Sequence, residues 1–194
     1  MNRAELKAAA KTQIRGKIGI LFLISFIISL ISSGVNVIPV AGSAVCVFVV
    51  TPAFALSTIY IYMNVVKGEH PSVGDAFSGF NDFWSSFKVS FLTGLFTMLW
   101  SLLLFIPGII KGLSYSMAMY ILAENPGKPA LECIEESKQM TKGHKMELFV
   151  LELSFLGWAL LGVITFGIAL IWVIPYMQAT YVNAYHKLKN SNNY

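Results

Sequence analysis

The chain has 194 residues, of which 56% are hydrophobic and 12% are charged, and its mean hydropathy is +0.66. Soluble domains carry about 25% charged residues, so this composition argues against a soluble enzyme and predicts a single membrane domain over residues 1–194. The formal net charge of +4 comes without a long basic run or a basic patch interleaved with aromatic residues, which argues against a nucleic-acid partner.

The first predicted hairpin begins with an apolar run over residues 18–38, which follows a basic head. A helix of about 20 apolar residues crosses a hydrocarbon core of roughly 30 Å. A cleaved signal peptide, with a small-residue site at 41–44, is the alternative, but this run is longer than the about 7–15 apolar residues of such a peptide. Turn residues at 33–34 and 39–43 precede a second run over 43–66, which completes the hairpin.

Two more hairpins follow. The apolar stretch 87–123 is too long for one helix and is interrupted at Pro107-Gly108, which predicts spans over 88–106 and 108–123. The third hairpin comprises spans over 147–165 and 167–186, with its turn near Thr165-Phe166-Gly167. The predicted fold is therefore all-α and integral to the membrane, with six transmembrane helices in three hairpins.

The distribution of cations sets the orientation. With the N-terminus inside, the inner segments 1–17, 67–88, 124–147 and 186–194 hold every Lys and Arg except Lys111. A five-span arrangement would move Lys187 and Lys189 outside. We therefore predict a multi-pass protein of the cell membrane with both termini in the cytoplasm. Cys46, in an apolar run, and Cys133, in an inner segment, are expected to be free thiols.

Amphipathic interfacial helices are predicted before the hairpins, over about 71–86 and 129–143. In the first, Phe77, Phe80 and Trp84 recur at helical spacing on an apolar face. This face packs on the membrane surface or docks a partner. In the second, a weaker apolar stripe (Ala130, Cys133, Ile134, Ser137, Met140 and Thr141) lies opposite charged residues, with Pro129 in the first turn and Gly143 as a C-terminal cap.

The first and third predicted hairpins, each taken with the segment that precedes it, form two units that align without gaps. Lys11 matches Lys138, Arg15-Gly16 matches Lys142-Gly143, and Leu21-Phe22 matches Leu148-Phe149. Pro52 and Pro175 lie at similar depths, each followed ten residues later by a tyrosine, Tyr62 and Tyr185. An internal repeat is common in membrane bundles, and chance similarity is the alternative. The two prolines either act as hinges or produce static kinks.

Several ordered motifs carry a family resemblance. They are Ile106-Pro-Gly-Ile-Ile-Lys-Gly-Leu-Ser-Tyr-Ser-Met-Ala-Met-Tyr, Ala130-Leu-Glu-Cys-Ile-Glu-Glu-Ser, Lys142-Gly-His-Lys and Ile174-Pro-Tyr-Met-Gln-Ala-Thr. The chain resembles, over essentially its whole length, the bacterial membrane family known as domain of unknown function 975. It is more distantly similar to the membrane domains of some glycerophosphodiester phosphodiesterases. The family resemblance implies no activity, cofactor or catalytic residue.

No catalytic or metal constellation is evident, since the three histidines are far apart and the nucleophile, phosphate-loop and dinucleotide motifs are absent. We expect no enzyme activity and no cofactor. Ionisable groups inside spans are the most informative, and Lys111 and Glu152 either line a polar path or extend to opposite interfaces. Gln178 and Tyr115 contact a ligand or bond between helices.

Two functions follow from these observations. The first is a non-enzymatic membrane protein whose interfacial helices bind a lipid or a membrane protein partner in the cell envelope. The alternative is a small transporter or exporter with a polar path near Lys111 and Glu152. A mid-membrane cavity lined by Lys111, Glu152 or Gln178 would favour transport, whereas a packed bundle with a groove beside its surface helices would favour binding.

Overall fold

The computed structural model describes residues 2–35, 50–103, 105–165 and 167–191. Throughout these ranges the chain forms helices and turns and no strand, which confirms the all-α prediction. The α-helices are α1 (Arg3–Gln13), α2 (Ile18–Val35), α3 (Thr51–Val66), α4 (Phe83–Leu103), α5 (Phe105–Tyr115), α6 (Ala118–Glu124), α7 (Ala130–Met140), α8 (Lys145–Ile164) and α9 (Leu170–Ser191). A 3₁₀ helix, η1, covers Val73–Phe80.

Two helical stretches of the described chain are long and apolar enough to cross a membrane, Ile106–Glu124 and Lys145–Ile164. A third is obtained if α1 and α2, which meet at 92°, are counted as one bent span. The helix α3 is apolar but has only 16 residues. Six spans therefore stay a prediction, and the turn at 39–43 and Cys46 lie outside the described residues.

The second hairpin differs from its prediction in two places. Its first helix ends at Leu103 and the next begins at Phe105, so Pro107-Gly108 lies in the first turn of α5, where a missing backbone N–H is tolerated. A Cβ on Gly108 would lie 2.2 Å from the Ser101 Oγ, so this glycine lets α4 and α5 approach closely. A second break, which the sequence analysis did not predict, separates α5 from α6 at Ser116-Met117.

The two predicted interfacial helices have different outcomes. Residues 71–86 are not one helix, because η1 ends at Phe80 and α4 already begins at Phe83, so Trp84 belongs to the hairpin helix. The segment 129–143 matches its prediction closely. There Pro129 is the N-cap, the predicted apolar stripe is buried, and Gly143 has a φ of +85°.

The first and third units share one local geometry. The helices α1 and α7 both have 11 residues and occupy the aligned ranges Arg3–Gln13 and Ala130–Met140. Each is followed by an elbow with a positive-φ glycine, Gly16 at +80° and Gly143 at +85°. The elbow hydrogen bonds match in the same way: the Lys17 N–H donates to the Ile14 carbonyl, and the His144 N–H donates to the Thr141 carbonyl, both at 3.0 Å. The alignment of these two segments therefore reflects a repeated structure.

The three units pack in a cyclic order. Unit one comprises α1 to α3, unit two η1 and α4 to α6, and unit three α7 to α9. The first helix of each unit packs on the last helices of the preceding unit: η1 on α3, α7 on α5 and α6, and α1 on α9. The next helix of each unit follows the same rule, as α4 contacts α3, α8 contacts α5 and α2 contacts α9, and α7 also contacts α4. The matched tyrosines Tyr62 and Tyr185 are both buried in the main hydrophobic core.

Candidate functional site

A cleft of about 620 Å³ lies where the elbow between α1 and α2 meets the hairpin of α8 and α9. It is thus a joint between the first and third units. Its base is apolar and buried at Ile14 and Val173, its walls are aromatic, and exposed cations stand at its edge. The aromatic and cationic residues are Trp158, Trp172, Tyr176, Lys11 and Arg15.

Buried apolar side chains of α1 and the amide of Gln13 hold this helix against α8 and α9. Leu6 and Ala10 are buried, and Leu6 packs with Leu151, Phe155 and Ala184. The side-chain amides of Gln13 and Asn183 donate to each other, at 3.3 and 2.7 Å. Because these contacts fix the elbow against α9, the other flank of α1 is left at the cleft.

That other flank is cationic. Arg3, Lys7, Lys11 and Arg15 recur every four residues, and the Lys7 Nζ lies 4.3 Å from the centroid of the buried Phe155 ring. Partial burial lowers the pKa of Lys7, and the neighbouring charge of Arg3 lowers it further. No acidic side chain in the described ranges forms an ion pair with Lys11 or Arg15. This edge of the cleft therefore carries uncompensated positive charge.

The aromatic walls form a connected cluster. The Tyr176 ring meets Phe155 edge-on at 5.6 Å between centroids, and Trp158 meets Tyr176 at 6.3 Å. Trp158 and Trp172 remain 44% and 53% exposed, so the cleft opens on the outer side of the hairpin. Leu170 packs closely on Gly162, where an added Cβ would lie 2.5 Å from a methyl carbon of the leucine.

The hydroxyl of Thr12 adds little to the chemistry of the cleft. It donates to the Ala9 carbonyl at 2.7 Å, so its hydrogen is already used within α1. The side chains that remain are apolar, aromatic or cationic. This combination suits an amphiphile with an apolar chain and an anionic end.

The two predicted intramembrane charges lie apart from the cleft. The Lys111 Nζ is 4.5 Å from the centroid of the Trp100 ring, on the side of the turn between α4 and α5. Glu152 lies on an exposed face of α8. Within the described ranges Lys111 and Glu152 do not form an ion pair with each other. A polar path near them stays a prediction.

The other polar candidates also lie elsewhere. Gln178 is half-buried on α9 and does not line the cleft. Tyr115 is buried, with its ring 6.1 Å from that of Phe96, and it lines a second groove of about 590 Å³ between α4 and the α5–α6 pair. Lys111, Glu152 and Gln178 line neither of these two cavities.

The predicted docking face is divided between two roles. Phe80 meets the buried Phe54 of α3 edge-on at 5.2 Å, and Phe77 lies 6.0 Å from the same ring. Trp84 is 68% exposed on α4. Phe77 and Phe80 thus attach η1 to α3, and Trp84 is the most exposed of the three.

Sequence analysis missed the main lining of the cleft. Lys11 and Arg15 entered only as cations that set topology and repeat register, and Trp158, Trp172 and Tyr176 were not singled out. The available signal was the four-residue spacing of cations beside the stripe Leu6, Ala10 and Ile14. No group of three metal-ligating side chains occurs in the described part of the chain, and Cys133 is a buried free thiol whose pKa burial raises.

The comparisons with known proteins identify a family and no activity. The family model described as "Protein of unknown function (DUF975)" matches residues 1–111 and 101–192. No curated protein and no solved structure gives a significant match to the chain. The distant similarity to glycerophosphodiester phosphodiesterases is therefore not shown.

Proposed function

We propose a function for this chain, which belongs to the DUF975 family of proteins of unknown function, on the basis of its cleft. In this proposal it is a non-enzymatic, multi-pass protein of the cell membrane, with six spans and both termini in the cytoplasm. Its ligand is a membrane lipid that binds in the cleft between the first and third units.

The outer surface supports the membrane location. Large apolar side chains are exposed along the hairpin helices, among them Phe26, Leu30, Met98, Leu102, Val163 and Ile164. Soluble monomers rarely expose contiguous apolar patches larger than a few hundred Å². Lipid tails would cover this outer apolar surface, and the charged surface helices would face the cytoplasm.

The observation that carries the proposal is the cleft itself. Its volume of about 620 Å³ lies within the usual range of ligand pockets, about 300–1,000 Å³. Trp158 and Trp172 connect it to the outer apolar surface, so a lipid can enter from the side without leaving the bilayer. The two indole rings offer a large apolar surface against which a lipid acyl chain can pack.

A test of the proposal is the amount of lipid that co-purifies with the chain in mild detergent. Trp158→Ala combined with Tyr176→Ala removes the aromatic wall and should lower the bound lipid per protein. Leu160→Ala is the matched control, because Leu160 is 58% exposed on the same helix and does not line the cleft. Equal lipid content in all three proteins at equal thermal stability would refute the lipid site.

Transport is the second candidate, because Lys111 and Glu152 are ionisable groups within predicted spans. Lys111→Met and Glu152→Gln separate the two functions when complementation of a deletion strain and membrane abundance are both measured. Lipid binding predicts that both variants complement, since each removes only a charge that extends to an interface. Loss of complementation by both at normal abundance would favour transport.

A further inference from the structure

We infer that the ligand of the cleft is an anionic phospholipid whose phosphate binds between Lys11 and Arg15. This inference rests on the proposed function and specifies the headgroup. Both cations line the cleft, and both are exposed. The acyl part of the same molecule would lie along Trp158 and Tyr176.

The arrangement of the cations fits a phosphate group. Lys11 is in the last turn of α1 and Arg15 is in the elbow four residues later. The arginine guanidinium can donate two parallel hydrogen bonds to phosphate oxygens, and the lysine ammonium adds a mobile point charge. Lys7 and Arg3 extend the positive row along the same flank, away from the elbow.

The elbow adds a second source of positive potential. The 18-residue helix α2 begins at Ile18, which itself lines the cleft. The backbone N–H groups of a first helical turn have no partner within the helix, and the helix dipole is positive at this end. A phosphate between Lys11 and Arg15 would therefore lie beside the favourable end of α2.

The balance of charge selects a net anionic lipid over a zwitterionic one. No acidic side chain of the described ranges pairs with Lys11 or Arg15, and the nearby Glu5 lies 3.1 Å from the Nζ of Lys187. A zwitterionic headgroup would place its own cation close to this uncompensated positive flank. A phosphatidylglycerol headgroup carries the phosphate without that cation.

The repeat supplies a matched control. Lys138 and Lys142 occupy the positions of Lys11 and Arg15 in the elbow of the third unit. Lys138 forms an ion pair with Glu135 at 2.7 Å, and neither lysine lines the 620 Å³ cleft. Neutralising Lys138 and Lys142 changes the net charge as much as neutralising Lys11 and Arg15, and it leaves the cleft intact.

The experiment is tryptophan quenching by brominated lipids, in the chain carrying Trp84→Phe and Trp100→Phe so that only Trp158 and Trp172 report. The chain is placed in phosphatidylcholine vesicles that contain a small mole fraction of either brominated phosphatidylglycerol or brominated phosphatidylcholine. We expect stronger quenching by the brominated phosphatidylglycerol. Lys11→Gln with Arg15→Gln should abolish this excess, and Lys138→Gln with Lys142→Gln should retain it.

Three other outcomes would overturn the inference. Equal quenching by the two lipids, unchanged by Lys11→Gln with Arg15→Gln, would overturn the anionic headgroup while the co-purification test of the lipid site still stands. Equal quenching by the two lipids, together with binding of inorganic phosphate that is lost in Lys11→Gln with Arg15→Gln, would assign the cations to free phosphate and would overturn the lipid assignment. Loss of the excess in the Lys138 and Lys142 variant would assign the preference to net charge and would also overturn the site.

Discussion

Gly79 is the residue at which two units make backbone contact. Its N–H donates to the Ser57 Oγ at 2.8 Å, and a Cβ on Gly79 would lie 2.1 Å from the Ala53 carbonyl oxygen. Because that obstacle is backbone, the neighbours cannot move aside by rotating a side chain. The position requires the absence of a side chain, and hydrophobic periodicity cannot reveal such a requirement.

Gly79→Ala should therefore push η1 away from α3. We expect a lower unfolding midpoint in detergent and lower membrane abundance, with a cost of about 1–3 kcal/mol or more from overpacking. Gly74→Ala is the control on the same 3₁₀ helix, since its nearest neighbouring atom is the Ser72 Oγ at 3.6 Å. Equal midpoints for the two variants would contradict this close packing.

A substitution at Gly143 measures the cost of backbone strain alone, because a side chain there makes no close contact. Its φ is +85° and no atom lies within 4 Å of an added Cβ, so a side chain there meets only conformational strain. Gly143→Val should lower the unfolding midpoint, at a cost of about 1–2 kcal/mol, whereas Gly143→Asn should lower it less because asparagine tolerates the left-handed region. The midpoint is measured by thermal unfolding in detergent. An unchanged midpoint in the valine variant would count against the elbow geometry.

At the scale of elements, the break between α5 and α6 depends on the neighbouring surface helix. The Ser137 hydroxyl of α7 donates to the Ser114 carbonyl at 2.8 Å and accepts from the Met117 N–H at 3.2 Å. One side chain thus satisfies two backbone groups that the interrupted helix leaves open. All three residues are buried, so water cannot readily replace these bonds.

Ser137→Ala should destabilise the contact between α7 and the α5–α6 pair. It leaves the buried Met117 N–H without this acceptor, which costs about 1–3 kcal/mol. Ser114→Ala is the control, because the Ser114 hydroxyl donates only within its own helix, to Ile110 at 2.7 Å, and the carbonyl that Ser137 uses is kept. Hydrogen exchange of residues 114–118 should speed up in the first variant only, and equal rates in both would rule out this role.

Periodicity alone did not decide which elements could be predicted, because the weaker stripe of 129–143 forms one helix whereas the stronger pattern of 71–86 does not. The pattern of α7 followed from spacing and residue type alone, and the structure confirms a helix over Ala130–Met140 with this stripe buried. Gly143 has a left-handed conformation, but the C-cap of the helix is Thr141, two residues earlier.

Gly79 of η1 lies against α3, and Ser137 bonds to both sides of the break at Ser116-Met117. Neither tertiary contact can be read from the local sequence. Pro107 suggested a turn, although it is equally compatible with the first turn of the helix in which it lies.

At the scale of the molecule, the cyclic order of the three units explains where the cleft lies. It forms at the joint between unit three and unit one, from residues at opposite ends of the chain. Sequence analysis identified the aligned elbows but had no means of placing α1 against α9. The individual cations and tryptophans could be seen in the sequence, whereas their juxtaposition could not.

The proposed topology gives a separate prediction for the whole chain. In a background carrying Cys46→Ala and Cys133→Ala, Ser43→Cys and Ile168→Cys should react with an impermeant thiol reagent in intact cells. Ser191→Cys should react only after the membrane is opened. Ile168 is suitable because it is 63% exposed beside the third hairpin turn. Strong labelling of Ser191→Cys in intact cells would contradict six spans with both termini in the cytoplasm.

Photo-crosslinking in a bilayer, followed by mass spectrometry, tests directly whether a lipid occupies the cleft between units one and three. The probe is a phosphatidylglycerol with a photoreactive group in its acyl chain, present at a low mole fraction. We expect crosslinks to concentrate on the cleft side of α8 and α9, near Trp158 and Tyr176, and to decline when unlabelled phosphatidylglycerol is added. Crosslinks spread evenly over the outer apolar surface, including Met98 and Leu102, and unaffected by that competitor would contradict this expectation.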